Sequence, residues 1–131
     1  MPVECELGVG ILLVRTIGLY TNEELKDAVA RVAASPTFPQ GTRLLFDGSR
    51  SEAPLSPPDI DWRVRWLGSL PRQGFSATMA AVVRGDEVFR YGLGRQLSMR
   101  LEAEGVNIRL FADLAAARQW LAAAGDAPPA G

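Results

Sequence analysis

The chain predicts an α/β fold: a mainly parallel five-stranded sheet with an antiparallel N-terminal edge strand and four helices. Three observations carry that expectation. From residue 11 onward, short apolar runs alternate with capped helical stretches, the βαβ rhythm whose right-handed crossovers produce parallel strands. One further strand pattern precedes the first run across a short glycine turn, so it returns antiparallel. Finally, 131 residues that are 47% hydrophobic, with no long linker, repeat or low-complexity tract, suit one core.

The elements follow in order. Val3, Cys5 and Leu7 alternate with Glu4 and Glu6, the pattern of a half-exposed strand, and Gly8-Val9-Gly10 turns it into the apolar strand 11–17. Thr21 followed by Glu24 forms a capping box, and Leu25, Ala28, Val29 and Val32 mark one face of a helix that stops at Ser35-Pro36. A strand over 42–46 ends at Asp47-Gly48-Ser49, which reads as an Asx turn with glycine at positive φ. Ser56 then caps a second helix with Pro57 at its first position and Asp59 in its first turn. Residues 76–83 form a buried strand. Asp86 caps a long helix to Glu104, with Phe89, Leu93, Leu97 and Leu101 as its core row and Gly105 as its left-handed stop. Residues 106–111 form the last strand, and Asp113 caps a helix to about Ala123. The domain spans 1–124, and Gly125–Gly131 is expected to be a disordered tail.

Composition narrows the function. The net charge of −1 gives no global field for nucleic acid or an anionic membrane, so no nucleic-acid partner is expected. Histidine is absent, which removes the commonest general base and metal ligand and both Ser-His and Cys-His pairs. A single cysteine, Cys5, rules out an internal disulfide and reads as a small buried hydrophobe. No segment approaches the ~20 apolar residues of a membrane span, and Met1–Val9 carries Glu4 and Glu6 in place of a basic start. The expectation is a cytoplasmic protein with no integral membrane segment, no metal and no cofactor.

Four stretches together resemble the STAS-like superfamily, the fold of anti-sigma-factor antagonists and of the cytoplasmic domains of sulfate transporters. They are ILLVRTIGLYTNEEL, TRLLFDGS, SATMAAVVRGDEVFRYGLGRQ and VNIRLFADLAAARQWL. In the last, Phe111 precedes a capped helix that carries Ala116 or Ala117 and ends in Trp120-Leu121. The match covers nearly the whole chain and looks closest to small stand-alone bacterial domains. It implies a non-enzymatic module that docks to a partner or holds a small apolar ligand. Anti-sigma antagonists carry a phosphorylated serine in an Asp-Ser-Ser-Gly-type turn at the start of the second helix. The corresponding stretch here is Pro54-Leu55-Ser56-Pro57-Pro58, so Ser56 sits near that position among different neighbours.

Candidate residues follow from these patterns. Asp47 ends a central strand, where open α/β sheets place functional groups. A receiver-type phosphoacceptor there would need acids after the preceding strand, which Gly18-Leu19-Tyr20 does not supply, and an Asp-x-Asp nucleophile fails because residue 49 is serine. Asp47 remains the residue to test for any enzymatic activity. The first phosphorylation candidate is Ser56, whose charge would suit a helix N-terminus, with Ser49 and Ser51 weaker. Residues 60–67 fit two periods, a helix or a strand. Read as a helix, Ile60, Val64 and Leu67 face the sheet, while Trp62, Trp66 and Leu70 lie opposite beside Arg63 and Arg65, an aromatic-plus-arginine contact surface. Gly92 and Gly94 inside a helix mark a close contact or a ligand against backbone.

Two functions of different class are therefore expected. One is an interaction module that docks to a regulatory partner, or to itself as a homodimer, through the helix around 57–70. The other is a carrier of a small apolar ligand or lipid between the sheet and the helices at 59–70 and 86–104. Asp47, Met79, Phe89, Tyr91 and Leu93, with Trp62 and Trp66, would line that pocket.

Overall fold

Strand order in space follows strand order in the chain. The structure, a computed structural model, describes residues 2–53, 56–83 and 88–124, without the side chains of 88–91 and 124. Its elements are β1 (Val3–Leu7), β2 (Ile11–Gly18), α1 (Asn22–Ala33), β3 (Arg43–Ser51), α2 (Pro57–Ser69), β4 (Thr78–Val82), α3 (Val88–Ala103), β5 (Asn107–Phe111) and α4 (Leu114–Ala124). The sheet runs β1-β2-β3-β4-β5, with β1 antiparallel to β2 and the other pairs parallel. This is the fold class read from the sequence. The cap expected at Asp86 and the tail 125–131 lie outside the described residues.

Topology fixes the layers. Each parallel crossover moves one position in the same direction, so right-handed connections place α1, α2 and α3 on one face of the sheet. Leu12, Val14, Leu44, Met79 and Ile108 point into that helix layer and form the larger core. The alternate residues Leu13, Leu45, Ala80 and Val82 meet Ala117 and Leu121 of α4 on the opposite face. No strand-order reversal interrupts the parallel strands, so the crevice that open α/β sheets use at such a point is absent.

Local chemistry sets the helix starts. The Thr21–Glu24 capping box is complete, with Glu24 N–H donating to Thr21 Oγ1 and Thr21 N–H to Glu24 Oε1. Ser56 and Asp59 form a second box, beyond the simple serine cap expected. Asp113 accepts from the amides of Ala115 and Ala116 at the start of α4. Gly105, at φ 82, ends α3 in the left-handed conformation expected of it.

Two expectations are corrected. The Asx hydrogen bond expected at Asp47-Gly48-Ser49 is present, Ser49 N–H to Asp47 Oδ1, but it lies in a bulge inside β3, which continues to Ser51. Gly48 does not adopt a positive φ. Arg15 pairs with Asp47 and Ile17 with Arg50, so Thr16 alone opposes both Gly48 and Ser49. The strand continues because β2 itself extends to Gly18 and offers it a partner.

The second correction concerns 57–70. The segment is helical, but its indoles are not an exposed face: Trp66 is 8% exposed, Leu70 is 2% exposed and Trp62 is partly buried. Trp66 stacks between Phe46 and Trp62, with ring centroids 6.2 and 5.4 Å away. The cause is position: α2 is the middle helix of its layer, so its flanks face α3 on one side and a groove against α1 on the other, besides the sheet. Only a narrow stripe including Asp61 and Arg65 stays in solvent. A 3₁₀ turn, Leu70–Gln73, extends α2 and was not legible in the sequence.

Candidate functional site

One concavity lies between the helix layer and the C-terminal halves of β2 to β5, with a cavity of about 100 Å³. Small residues create it. Gly48 and Ala81 on the sheet, Ala53 after β3 and Gly94 on α3 line the space where larger side chains would otherwise meet. Gly94 also permits a close approach, because a Cβ there would sit 2.9 Å from Leu110 Cδ1. Gly92 has open space around it, so only Gly94 answers the expectation of a tight contact or a ligand against backbone.

Strand order gives the cavity two unlike ends. Thr16 and Tyr20 come from β2 and the residues after it, Ser51 from the end of β3, and Arg63 from α2. At the other end, Leu97 of α3 and Ile108 and Leu110 of β5 are apolar. The β3 bulge supplies one of the polar groups. Without the extra residue, Ser51 would share the face of Asp47; with it, Ser51 turns to the helix side and lines the cavity. Asp47 holds the bulge. Its Oδ1 accepts from Ser49 N–H at 3.1 Å and from Ser49 Oγ at 2.7 Å.

Arg63 stands at the polar end. Its Nη2 donates to Tyr20 Oη, and its guanidinium carbon lies 5.7 Å from the Tyr20 ring centroid. Its Nε, buried, has no hydrogen-bond partner among the described residues. Just below, Asp59 ties helix starts together: Oδ2 accepts from Ser56 Oγ at 2.7 Å and Ser56 N–H at 2.9 Å, and Oδ1 from Asn22 Nδ2 at 3.0 Å. Burial pushes the Asp59 carboxyl up, but the bonds from Ser56 and Asn22 and the nearby Arg63 charge outweigh it and hold the group below its usual range.

The sequence-predicted residues separate. Asp47 is buried on the α4 face beside Val82, away from the cavity, because it has the alternation of Leu45. Met79 is fully buried core, and Leu93 is core at 7% exposure, so neither lines the cavity. The side chains of Phe89 and Tyr91 lie outside the described residues. Trp66 and Arg63 do line it, the former as wall and the latter as its charged group. Thr16, Tyr20, Gly48, Ser51 and Leu110 were missed. They are distant in sequence, and only the bulge and the crossover geometry bring them together.

Ser49 is committed to Asp47, and Ser56 to Asp59, where a phosphate would face a carboxylate at hydrogen-bond distance. Trp62, Trp66 and Leu70 also form the α2 wall of a groove of about 280 Å³ against Val29, Ala30 and Ala33 of α1, with Lys26 and Arg65 at its rim. Burial raises the Cys5 thiol above its ordinary value while the Arg31 charge pulls it down, which leaves a weak nucleophile. Among the described residues, no group of acids and cysteine is arranged to hold a metal, and no helix is long and apolar enough to cross a membrane. Comparison of the chain with protein-family models, curated proteins and solved structures finds no match.

Proposed function

We propose that the protein is a STAS-like, non-enzymatic binding module that holds a small, mainly apolar molecule between its sheet and its helix layer. The observation that carries this reading is the cavity of about 100 Å³ walled by Phe46, Trp66, Leu67, Leu97 and Leu110. Dry apolar cavities of about 150 Å³ accept benzene, so this smaller space suits a guest no larger than that. The absence of histidine and the seclusion of Asp47 on the other face support binding without bond-making. Ala81→Leu should fill the cavity from the sheet side. Titration of the full chain with benzene, followed by Trp fluorescence, is expected to show saturable binding that this variant loses while staying folded. No saturable binding by the parent would refute the reading.

A docking role has one supporting observation of its own, the α1/α2 groove with Lys26 and Arg65 over an apolar floor. That combination suits an acidic, apolar-faced segment of a partner protein or a second copy of this chain. Light scattering on the parent and on Lys26→Glu/Arg65→Glu decides the second case: self-association should weaken in the variant, and a monomeric parent removes it.

A further inference from the structure

We infer that the α1/α2 groove receives the β1–β2 turn of a second copy of this chain, with Leu7 and Val9 inserted and Glu4 and Glu6 at the rim. This rests on the self-docking reading of the groove above and names the segment that fills it. The groove holds about 280 Å³, and Trp62, Trp66, Leu70 and Phe75 give it an apolar floor. Its uncharged polar groups are already committed: Ser69 Oγ donates to the Trp66 carbonyl at 2.6 Å, and Gln73 Nε2 donates to Ser69 Oγ at 3.1 Å. The two cations are not. Lys26 and Arg65 have no ion-pair partner among the described residues, and Asp61, one turn before Arg65, is taken by Arg100. A fitting occupant is therefore apolar at its centre and acidic at its edge.

The β1–β2 turn has that composition. Leu7 and Val9 are 46% and 103% exposed, large apolar side chains that the fold leaves in solvent. Strand alternation puts Leu7 on the helix side of the sheet with Val3 and Cys5, the side on which the groove opens. Beside them Glu4 and Glu6 set two carboxylates against one arginine, Arg15, which reaches only Glu6 Oε2 at 3.4 Å. The turn thus carries surplus negative charge where the groove carries surplus positive charge.

The tip is also narrow and fixed. Glycines flank Val9, so no other side chain stands next to it. Gly8 N–H donates to the Ile11 carbonyl at 2.8 Å, and Arg43 N–H to the Gly10 carbonyl at 3.0 Å. A preformed tip loses little freedom on insertion. Cavities of about 150 Å³ accept benzene, so the groove has room for a valine and a leucine side chain. Helix α1 packs on β1 and borders the groove with its other flank, so turn and groove lie to either side of it. A two-fold axis across α1 lets each copy give its turn and receive its partner's, an exchange that closes as a dimer.

Light scattering on the full chain over a range of concentrations reads this exchange. The parent is expected to be dimeric. Val9→Asp, at a fully exposed site where the monomer's fold is indifferent, should raise the dissociation constant about tenfold or more, and so should Lys26→Glu/Arg65→Glu. Adding Glu4→Lys/Glu6→Lys to the groove variant reverses both surfaces and should restore the dimer. A monomeric parent overturns the inference and leaves the groove to an acidic segment of another protein. A dimer that survives Val9→Asp but not Lys26→Glu/Arg65→Glu keeps the groove reading and removes the turn as its occupant. A dimer indifferent to the groove variant, or one that the combined reversal fails to restore, overturns the pairing of these two surfaces.

Discussion

On the α4 face, Ala117 and Leu121 settle among Leu13, Leu45, Ala80 and Val82, and all six are buried. On the opposite face three helices cover a larger core, yet a cavity remains between Phe46, Ala81, Gly94 and Leu110. Both faces are built from the same alternating strands. The difference lies in what covers them. A lone helix adjusts to the sheet alone, and protein interiors reach crystal-like density when nothing competes with that adjustment. Helices α1, α2 and α3 must fit one another as well: Trp62 and Trp66 line a groove left between α2 and α1, and Arg100 reaches Asp61 across the α2/α3 boundary at 2.6 Å. Space left by glycine and alanine then stays open.

This contrast can be broken from either side. The largest effect is expected for Leu121→Ala on the tight face, a loss of about 2–5 kcal/mol in chemical denaturation. Next, enlarging an alanine should have opposite outcomes: Ala117→Leu overpacks the α4 face and destabilises by about 1–3 kcal/mol, whereas Ala81→Leu on the cavity face is neutral or stabilising. Equal destabilisation by both would mean that the faces are packed alike. Asp47→Ala removes the acceptor of the Ser49 amide and should lose about 1–3 kcal/mol, with faster amide exchange near Ser51 as the bulge loosens. Activity against any metabolite that depended on Asp47 would contradict the proposal of binding without bond-making.

The smallest effect is a pH dependence at the helix starts. The folded Asp59 carboxyl lies below its ordinary value of 3.8, so it contributes stability above that value and loses it as pH falls toward and through the lowered one. Acid titration of parent and Asp59→Asn should show the parent's advantage near neutrality shrinking below about pH 4. A gap that stays constant across that range would remove the assigned linkage.

Local signals were legible and relational ones were not. The Thr21 and Ser56 caps and the Gly105 stop depend on residues three or four apart, so the sequence displays them directly. Asp-Gly-Ser presents the same chemistry in a turn and in a bulge; what separates the two is whether the neighbouring strand runs on, a fact held at Ile17-Gly18. Likewise the periodicity of α2 marks which residues share a stripe but not how many sides are covered, so Trp62 and Trp66 read as exposed until α1 is placed beside them. The cavity was legible in kind and misassigned in lining, since Met79 and Leu93 look like pocket residues and belong to the core.

The monotonic strand order has a kinetic consequence. Every strand pairs with its nearest neighbour along the chain, but each parallel pair, such as Leu45 with Ala80, closes across a whole helical crossover, so the sheet forms more slowly than one built from hairpins. As in a repeat array, each unit leans on the one before and the one after. Stability should therefore be graded along the row, with the two outermost strands opening first and β3 last.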